Sequence, residues 1–225
     1  TIIGLWWLAG SAEGGTFDEK HDLYPLQEIQ VLLSTSLQNS ALYAEVQLQA
    51  RLDGATRLLN HTAFFEELGR ELKRAQRFGQ PLSLIILDLD NFKEINDKYG
   101  HSTGDRVLVE LANLLRDILR GVDRPARFGG DEFAVILPQT DVNGAKILAM
   151  RIMERIKKQT VEFADQEISV AASIGLAQME TGMSKEVLFE RADTALLEAK
   201  RLGKNRVVIS MEKEFEEVET SPAES

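Results

Sequence analysis

Arg127-Phe128-Gly129-Gly130-Asp131-Glu132-Phe133-Ala134-Val135-Ile136-Leu137-Pro138 sets two adjacent glycines between apolar runs. The arrangement predicts a hairpin turn, because glycine alone takes positive backbone φ at little steric cost. Two acids follow the turn directly, and the run after them has the alternating-to-solid apolar pattern of a half-buried strand. A turn without side chains leaves room for a bulky polyanion against the backbone. Carboxylates on its rim can hold a divalent cation or accept a proton. Read alone, the string fits an ordinary acidic hairpin better than a site. A second acidic strand end upstream, Asp88-Leu89-Asp90, changes that balance.

Leu82-Ser83-Leu84-Ile85-Ile86-Leu87 is a nearly continuous apolar run, the pattern of a central strand buried on both faces. Its carboxyl end delivers Asp88 and Asp90. If this strand neighbours the outward limb of the hairpin, Asp88 and Asp131 converge with the Leu89 carbonyl beside them. An oxygen-only set of this kind suits magnesium, which keeps waters and substrate phosphates in its remaining positions. Magnesium there could polarise a phosphate and lower the pKa of an attacking hydroxyl. The competing reading of Asp88-Leu89-Asp90 is a strand that ends in a solvent-facing turn.

The chain of 225 residues has room for one full domain and an appendage, and its 44% hydrophobic content can build a sizeable core. A formal charge of −10 argues against a general nucleic-acid binder, which needs a basic stripe. An anionic substrate would need metal and a few local lysines to neutralise it. The sequence has no cysteine, which excludes disulfides, thiolate metal sites and cysteine nucleophiles and fits a reducing compartment. The apolar stretch Thr1-Ile2-Ile3-Gly4-Leu5-Trp6-Trp7-Leu8-Ala9-Gly10 is too short to cross a bilayer and lacks a basic leader. With no initial methionine, the sequence reads as part of a longer protein.

Residues 1–10 have the β-branched and aromatic content of one strand. From about Pro25 to Leu52, Ile29, Leu33, Leu37, Ala41, Ala44 and Leu48 recur at helical spacing. Such a helix either packs on its own domain or pairs with a second copy, and Ser36 and Ser40 interrupt the seam. Asp53-Gly54-Ala55-Thr56 breaks it, and Asn60-His61-Thr62 caps a new helix that ends at Gly79-Gln80-Pro81. Another helix opens at Gly100 with Leu108, Leu111, Ala112, Leu115 and Leu119 on one face. After the hairpin come a helix around Ala145 to Ile156, one strand from about Ile168 to Ala177, a helix from Leu188 to Leu202 and a last strand from Asn205 to Ser210. The mixture predicts an α+β fold, a sheet covered by helices with at least one hairpin. The acid-rich residues 212–225 read as a disordered tail.

The segment beginning at Asp88 continues Asn91-Phe92-Lys93-Glu94-Ile95-Asn96-Asp97-Lys98-Tyr99-Gly100-His101-Ser102-Thr103-Gly104-Asp105. Asp-x-Asp-x-Phe-Lys-x-x-Asn-Asp-x-x-Gly-His-x-x-Gly-Asp, followed by Arg-x-Gly-Gly-Asp-Glu-Phe, closely resembles the GGDEF domain of bacterial diguanylate cyclases. So many fixed spacings make the likeness far more specific than any single motif. It implies a mostly antiparallel five-stranded sheet flanked by helices, similar to the palm of nucleotidyl cyclases and polymerases. It also implies condensation of two GTP into cyclic di-GMP across a homodimer in the cytoplasm, with magnesium (or manganese) as cofactor. A receptor for GTP or cyclic di-GMP without catalysis is the alternative on the same scaffold. No nucleic acid is expected as partner, and membrane attachment of the parent protein is left open.

The resemblance assigns roles residue by residue. Asp88, the Leu89 carbonyl and Asp131 would bind metal, with Glu132 as a further ligand or base. Asn96 and Asp105 would read guanine, since an amide and a carboxylate pair with its O6, N1 and exocyclic amine. Backbone amides near Asn91 and Phe92, with Lys93, would hold phosphates, Lys93 facing the charge that grows during transfer. His101 would lie near the sugar or triphosphate, and Gly129 and Gly130 would admit the α-phosphate. Lys200 and Lys204 would grip the outer phosphates, although a solvated helix end would also carry such lysines. Arg120-Gly121-Val122-Asp123 matches the Arg-x-x-Asp product-inhibition site of many members, with Arg151 as a plausible partner. A salt link at a helix end is the plainer account of Arg120 and Asp123.

The likeness covers about residues 51–210 and departs from the family in places. Ala55 stands for leucine, Arg57 for glycine, and His61 and Thr62 for arginines. Leu197 stands where tyrosine is common, and Lys204 where arginine is common. A lysine cannot fork onto two phosphate oxygens, so these changes bear on the tightness of binding more than on the chemistry. Residues 1–24 resemble the end of a GAF sensor domain, with a PAS-like leader as the other option. The implied organisation is that remnant, a connector helix over 25–52, the cyclase domain over 53–211 and the tail over 212–225.

Overall fold

The computed structural model describes residues 29–39, 51–158, 160–163, 166–210 and 215–218. The chain divides into two units, Thr1–Ala50 and Arg51–Ser225. Within the first, residues 29–39 form a helix, α1, whose Ile29, Leu33 and Leu37 are all exposed. The strand expected over residues 1–10 and the remainder of the expected connector helix lie outside the described residues, except for Arg51 and Leu52 at its end. Among the described residues, no helix is long and apolar enough to cross a membrane.

The second unit starts with α2, His61–Phe78. Its beginning and end lie where the sequence puts them. The Asn60 side chain accepts the Ala63 N–H at 3.0 Å, and Gly79 ends the helix in the left-handed conformation at φ 63°. Then follow β1, Leu82–Leu89, and two helices, α3, Phe92–Tyr99, and α4, His101–Ile118. The first of these helices was not expected from the sequence: it is only 8 residues long with Ile95 its one buried position, too little apolar periodicity to read. Next come β2, Arg124–Arg127, β3, Glu132–Pro138, and α5, Val142–Lys158. The single strand expected near 168–177 is two, β5, Gln166–Ser169, and β6, Ala172–Gln178, with β5 paired to β4, Thr160–Phe163, in a separate hairpin. After α6, Lys185–Arg201, come β7, Val207–Ser210, and β8, Phe215–Val218.

The main sheet has the order β2-β3-β1-β6-β7-β8. Every neighbouring pair in it is antiparallel except β6 and β7. Five strands carry the expected mostly antiparallel sheet. The sixth, β8, corrects the reading of 212–225 as a wholly disordered tail. The other edge of β7 was open, and strand addition there uses backbone hydrogen bonds that acidic composition does not forbid.

All eight residues of β1 are buried because helices cover both sheet faces. Ile85, Leu87 and Leu89 pack with residues of α4 and α5, whereas Leu84 and Ile86 pack with residues of α2 and α6. At Gly175 on β6 a Cβ would come within 2.1 Å of the Ala192 carbonyl, so α6 lies closer to the sheet than any side chain would allow. That close seat brings the end of α6 toward the carboxyl end of β1.

Candidate active site

Strand pairing brings the two acidic strand ends together. Asp88 on β1 lies opposite Glu132 on β3, and the Leu89 N–H donates to the Asp131 carbonyl at 3.3 Å. From α6, Lys200 Nζ reaches Asp88 Oδ2 at 2.8 Å. Burial pushes the Asp88 carboxyl up, Lys200 pulls it back, and Asp131 and Asp90 add to the rise. Glu132 is also raised, by burial first and then by Asp88, with Lys200 again opposing. Among the described residues no three or more histidine or acidic side chains form a ready-made metal cage. The donor set nonetheless fits a hard divalent cation: its oxygens are crowded, half-buried and short of positive charge.

The glycine pair works differently from the sequence expectation. Neither Gly129 nor Gly130 adopts a left-handed backbone. A Cβ on Gly129 would instead fall 2.1 Å from Glu132 Oε2, while one on Gly130 would meet nothing within 4 Å. The Glu132 carboxylate thus folds back over Gly129, and Gly130 leaves an open face. Of the two expectations for these glycines, room beside the backbone is present at Gly130 and positive φ is absent at both.

The residues flanking the turn hold it. Arg127 donates from Nε and Nη2 to the Gly130 carbonyl at 3.0 and 2.7 Å, and Nη1 pairs with Asp53 Oδ1 at 3.1 Å. Burial raises the Asp53 carboxyl, but hydrogen bonds from Thr56 and Arg127 outweigh it and hold the group below the usual range. Phe128 stacks on Phe64 at 5.8 Å and meets Phe189 edge-on at 5.5 Å. Sequence reasoning gave Arg127, Phe128 and Asp53 no part in the site, although their place beside the glycines and at the helix break was a usable signal.

Of the residues expected to hold phosphates, Asn91, Phe92 and Lys93 lie at the start of α3, and Lys204 reaches it. Asn91 takes a left-handed conformation at φ 59°, and its Oδ1 accepts from Lys204 Nζ at 2.5 Å. Lys93 is exposed one residue into the helix. Asn96 on α3 lies against Gly104 on α4, where a Cβ would sit 1.9 Å from Asn96 Oδ1. Asp105 and His101 are exposed on the first turns of α4.

Arg120 and Asp123 sit apart from these acids, between α4 and β2. Arg120 grips the buried Asp123 through Nη2 at 2.8 Å and Nε at 3.2 Å and reaches Thr140 Oγ1 at 2.7 Å. Arg151 on α5 donates to the Ile118 carbonyl at 3.1 Å, two residues before Arg120.

Residues 50–206 match the family model described as "Diguanylate cyclase, GGDEF domain". Over 180 residues the chain is 40% identical to diguanylate cyclase DgcS of Shewanella oneidensis, covering 80% of this chain and 60% of that protein. Over 162 residues it is 41% identical to diguanylate cyclase DgcP of Pseudomonas aeruginosa, covering 72% of this chain and 24% of that protein. The chain therefore spans less than two thirds of the length of these relatives. Among solved structures it is similar to the GGDEF domain of DgcB from Caulobacter crescentus in complex with c-di-GMP. That match has a TM-score of 0.70 and 34% identity and covers 72% of this chain and 93% of the other.

Proposed function

The chain belongs to the GGDEF-domain family of diguanylate cyclases, and from that membership we propose that it condenses two GTP into cyclic di-GMP with release of two pyrophosphates. One domain offers one nucleotide site. Two copies must therefore face each other, each bound 3′-hydroxyl attacking the α-phosphate held by the other. Asp88, the Leu89 carbonyl, Asp131 and Glu132 would hold magnesium or manganese, which when bound supplies Lewis acidity at the phosphate.

The remaining roles fall to this chain's own residues. Asn96 and Asp105 read guanine across the contact of α3 with α4. Amides at Asn91 and Phe92 and the Lys93 ammonium hold phosphates at the positive end of α3. Gly129 and Gly130 admit the α-phosphate, His101 faces the sugar and triphosphate, and Lys200 and Lys204 hold the outer phosphates. The proton of the 3′-hydroxyl falls to Glu132 where its carboxylate serves as the base instead of as the further metal ligand. The new O–P bond forms as the bond to pyrophosphate breaks, with the lysines balancing charge on the leaving group. Arg120, Asp123 and Arg151 would bind the product and restrain the enzyme. A domain that consumes GTP in this way works in the cytoplasm.

The observation that supports this reading best is the register of β1 with β3, which sets Asp88 across from Glu132 beside the open Gly130. Asp131→Ala is expected to abolish product formation from GTP and magnesium, followed by chromatography of the nucleotides. Turnover at the wild-type rate in that variant would overturn the metal assignment.

A further inference from the structure

Asp90, the second acid of the Asp-x-Asp string, has no role in the scheme above, yet it is only 7% exposed. Its Oδ1 accepts from Ser173 Oγ on β6 at 2.8 Å, and its Oδ2 accepts from the Asn205 backbone N–H at 2.9 Å. Its own N–H donates to the Ala171 carbonyl at 2.9 Å. One side chain thus ties the end of β1 to β6 and to the loop between α6 and β7.

That loop is strained. Gly203, Lys204 and Asn205 carry φ of 114°, 64° and 50° in succession. A left-handed conformation is disfavoured for a non-glycine residue and persists only where its surroundings enforce it. The Gly203 and Lys204 N–H groups hold the loop to the Lys200 and Ala199 carbonyls at the end of α6, and the buried carboxylate on the Asn205 N–H ties it to the end of β1. The result is that Lys204 reaches back over Asp90 to Asn91, the left-handed residue that opens α3.

We propose that Asp90 is a positioning residue for the triphosphate: it clamps the strained Gly203–Asn205 loop against the start of α3, so that Lys204, Asn91 and the α3 amides act on one ligand. The proposal rests on the cyclase reading of the same site. It separates Asp90 from Asp88, which faces Lys200 and the hairpin acids. An asparagine can reproduce the clamp, its oxygen accepting from Asn205 N–H and its NH2 donating to Ser173 Oγ. An asparagine would not replace an anionic metal ligand.

The test is equilibrium binding by the full chain of 3′-deoxy-GTP, which lacks the attacking hydroxyl, and of GMP, which lacks the outer phosphates. Asp90→Ala is expected to weaken 3′-deoxy-GTP by about tenfold or more, the scale of one lost charge-assisted contact, with GMP binding little changed. Asp90→Asn should recover most of the loss. Asp90→Ala combined with Lys204→Met should bind no worse than Lys204→Met alone, because Asp90 acts on the ligand through Lys204. If Asp90→Ala does not fold, Ser173→Ala, which removes one of the two anchors, is expected to show the same selective loss. Equal weakening of both nucleotides, full additivity with Lys204→Met, or failure of Asp90→Asn to recover binding would overturn the proposal. Absence of 3′-deoxy-GTP binding by the unmodified chain would overturn the cyclase reading, and this one with it.

Discussion

Lys200 Nζ lies 2.8 Å from Asp88 Oδ2, so the lysine proposed for the outer phosphates is also the counter-ion of a carboxylate proposed for the metal. The two tasks compete for one ammonium. Lys200→Met is therefore expected to tighten manganese binding to the nucleotide-free protein near neutral pH, read by electron paramagnetic resonance, while weakening GTP. The same change removes the influence that holds the Asp88 carboxyl down. Manganese affinity in the variant should consequently fall away at a higher pH than in the parent. Unchanged manganese affinity would show that Lys200 does not share Asp88 with the cation.

The acid cluster also sets the pH dependence of stability. Asp88 and Glu132 are raised in the folded state, so each favours folding while protonated and loses that advantage as pH rises through its shifted value. Asp53 has the opposite sign: its contribution is present above the ordinary carboxyl range and is lost as pH falls through its lowered value. In chelator, Asp88→Asn is expected to raise the melting temperature near neutral pH and to raise it less in acid. A drop at neutral pH would mean that the pairing with Lys200 outweighs desolvation.

Arg57 takes φ 57° where the family pattern has glycine. Arg57→Gly should stabilise the fold by about 1 kcal/mol in urea denaturation, because relief of left-handed strain exceeds the added freedom of the unfolded chain. A loss of stability would show that the arginine side chain makes a compensating contact.

Arg120→Ala separates two accounts of the Arg120–Asp123 pair. The buried Asp123 loses its guanidinium donors in either case, a destabilisation of about 1–3 kcal/mol. If the pair binds product, cyclic di-GMP must also inhibit the variant at markedly higher concentration than the parent. Destabilisation with an unchanged inhibition curve would assign the pair to the helix end alone.

Much of the fold was legible because its signals are periodic. The unbroken apolar run at Leu84–Leu87 requires cover on both faces, and helix cores such as Leu108, Leu111 and Leu115 repeat every three to four residues. Short elements were not legible: α3 buries Ile95 alone, and β5 runs into β6 across Val170 and Ala171 without a glycine or proline. At the site, residue types and spacing pointed to the acids, while their mutual arrangement depended on the β1–β3 register. The Lys200–Asp88 and Asp90–Asn205 contacts join residues more than 100 positions apart in the chain, beyond any local pattern. The glycine turn was located correctly, but its glycines take no positive φ, and the room beside Gly130 is the part of that reading the structure keeps.

The grip of Arg127 on both Asp53 and the Gly130 carbonyl bears on how this domain can be excised. The glycine bend is fastened to a residue that precedes the first helix of the domain by eight positions. Any expression fragment trimmed to the visible start of that helix would discard one end of the fastening and give a folded domain with a slackened bend. The excision point belongs upstream of Asp53.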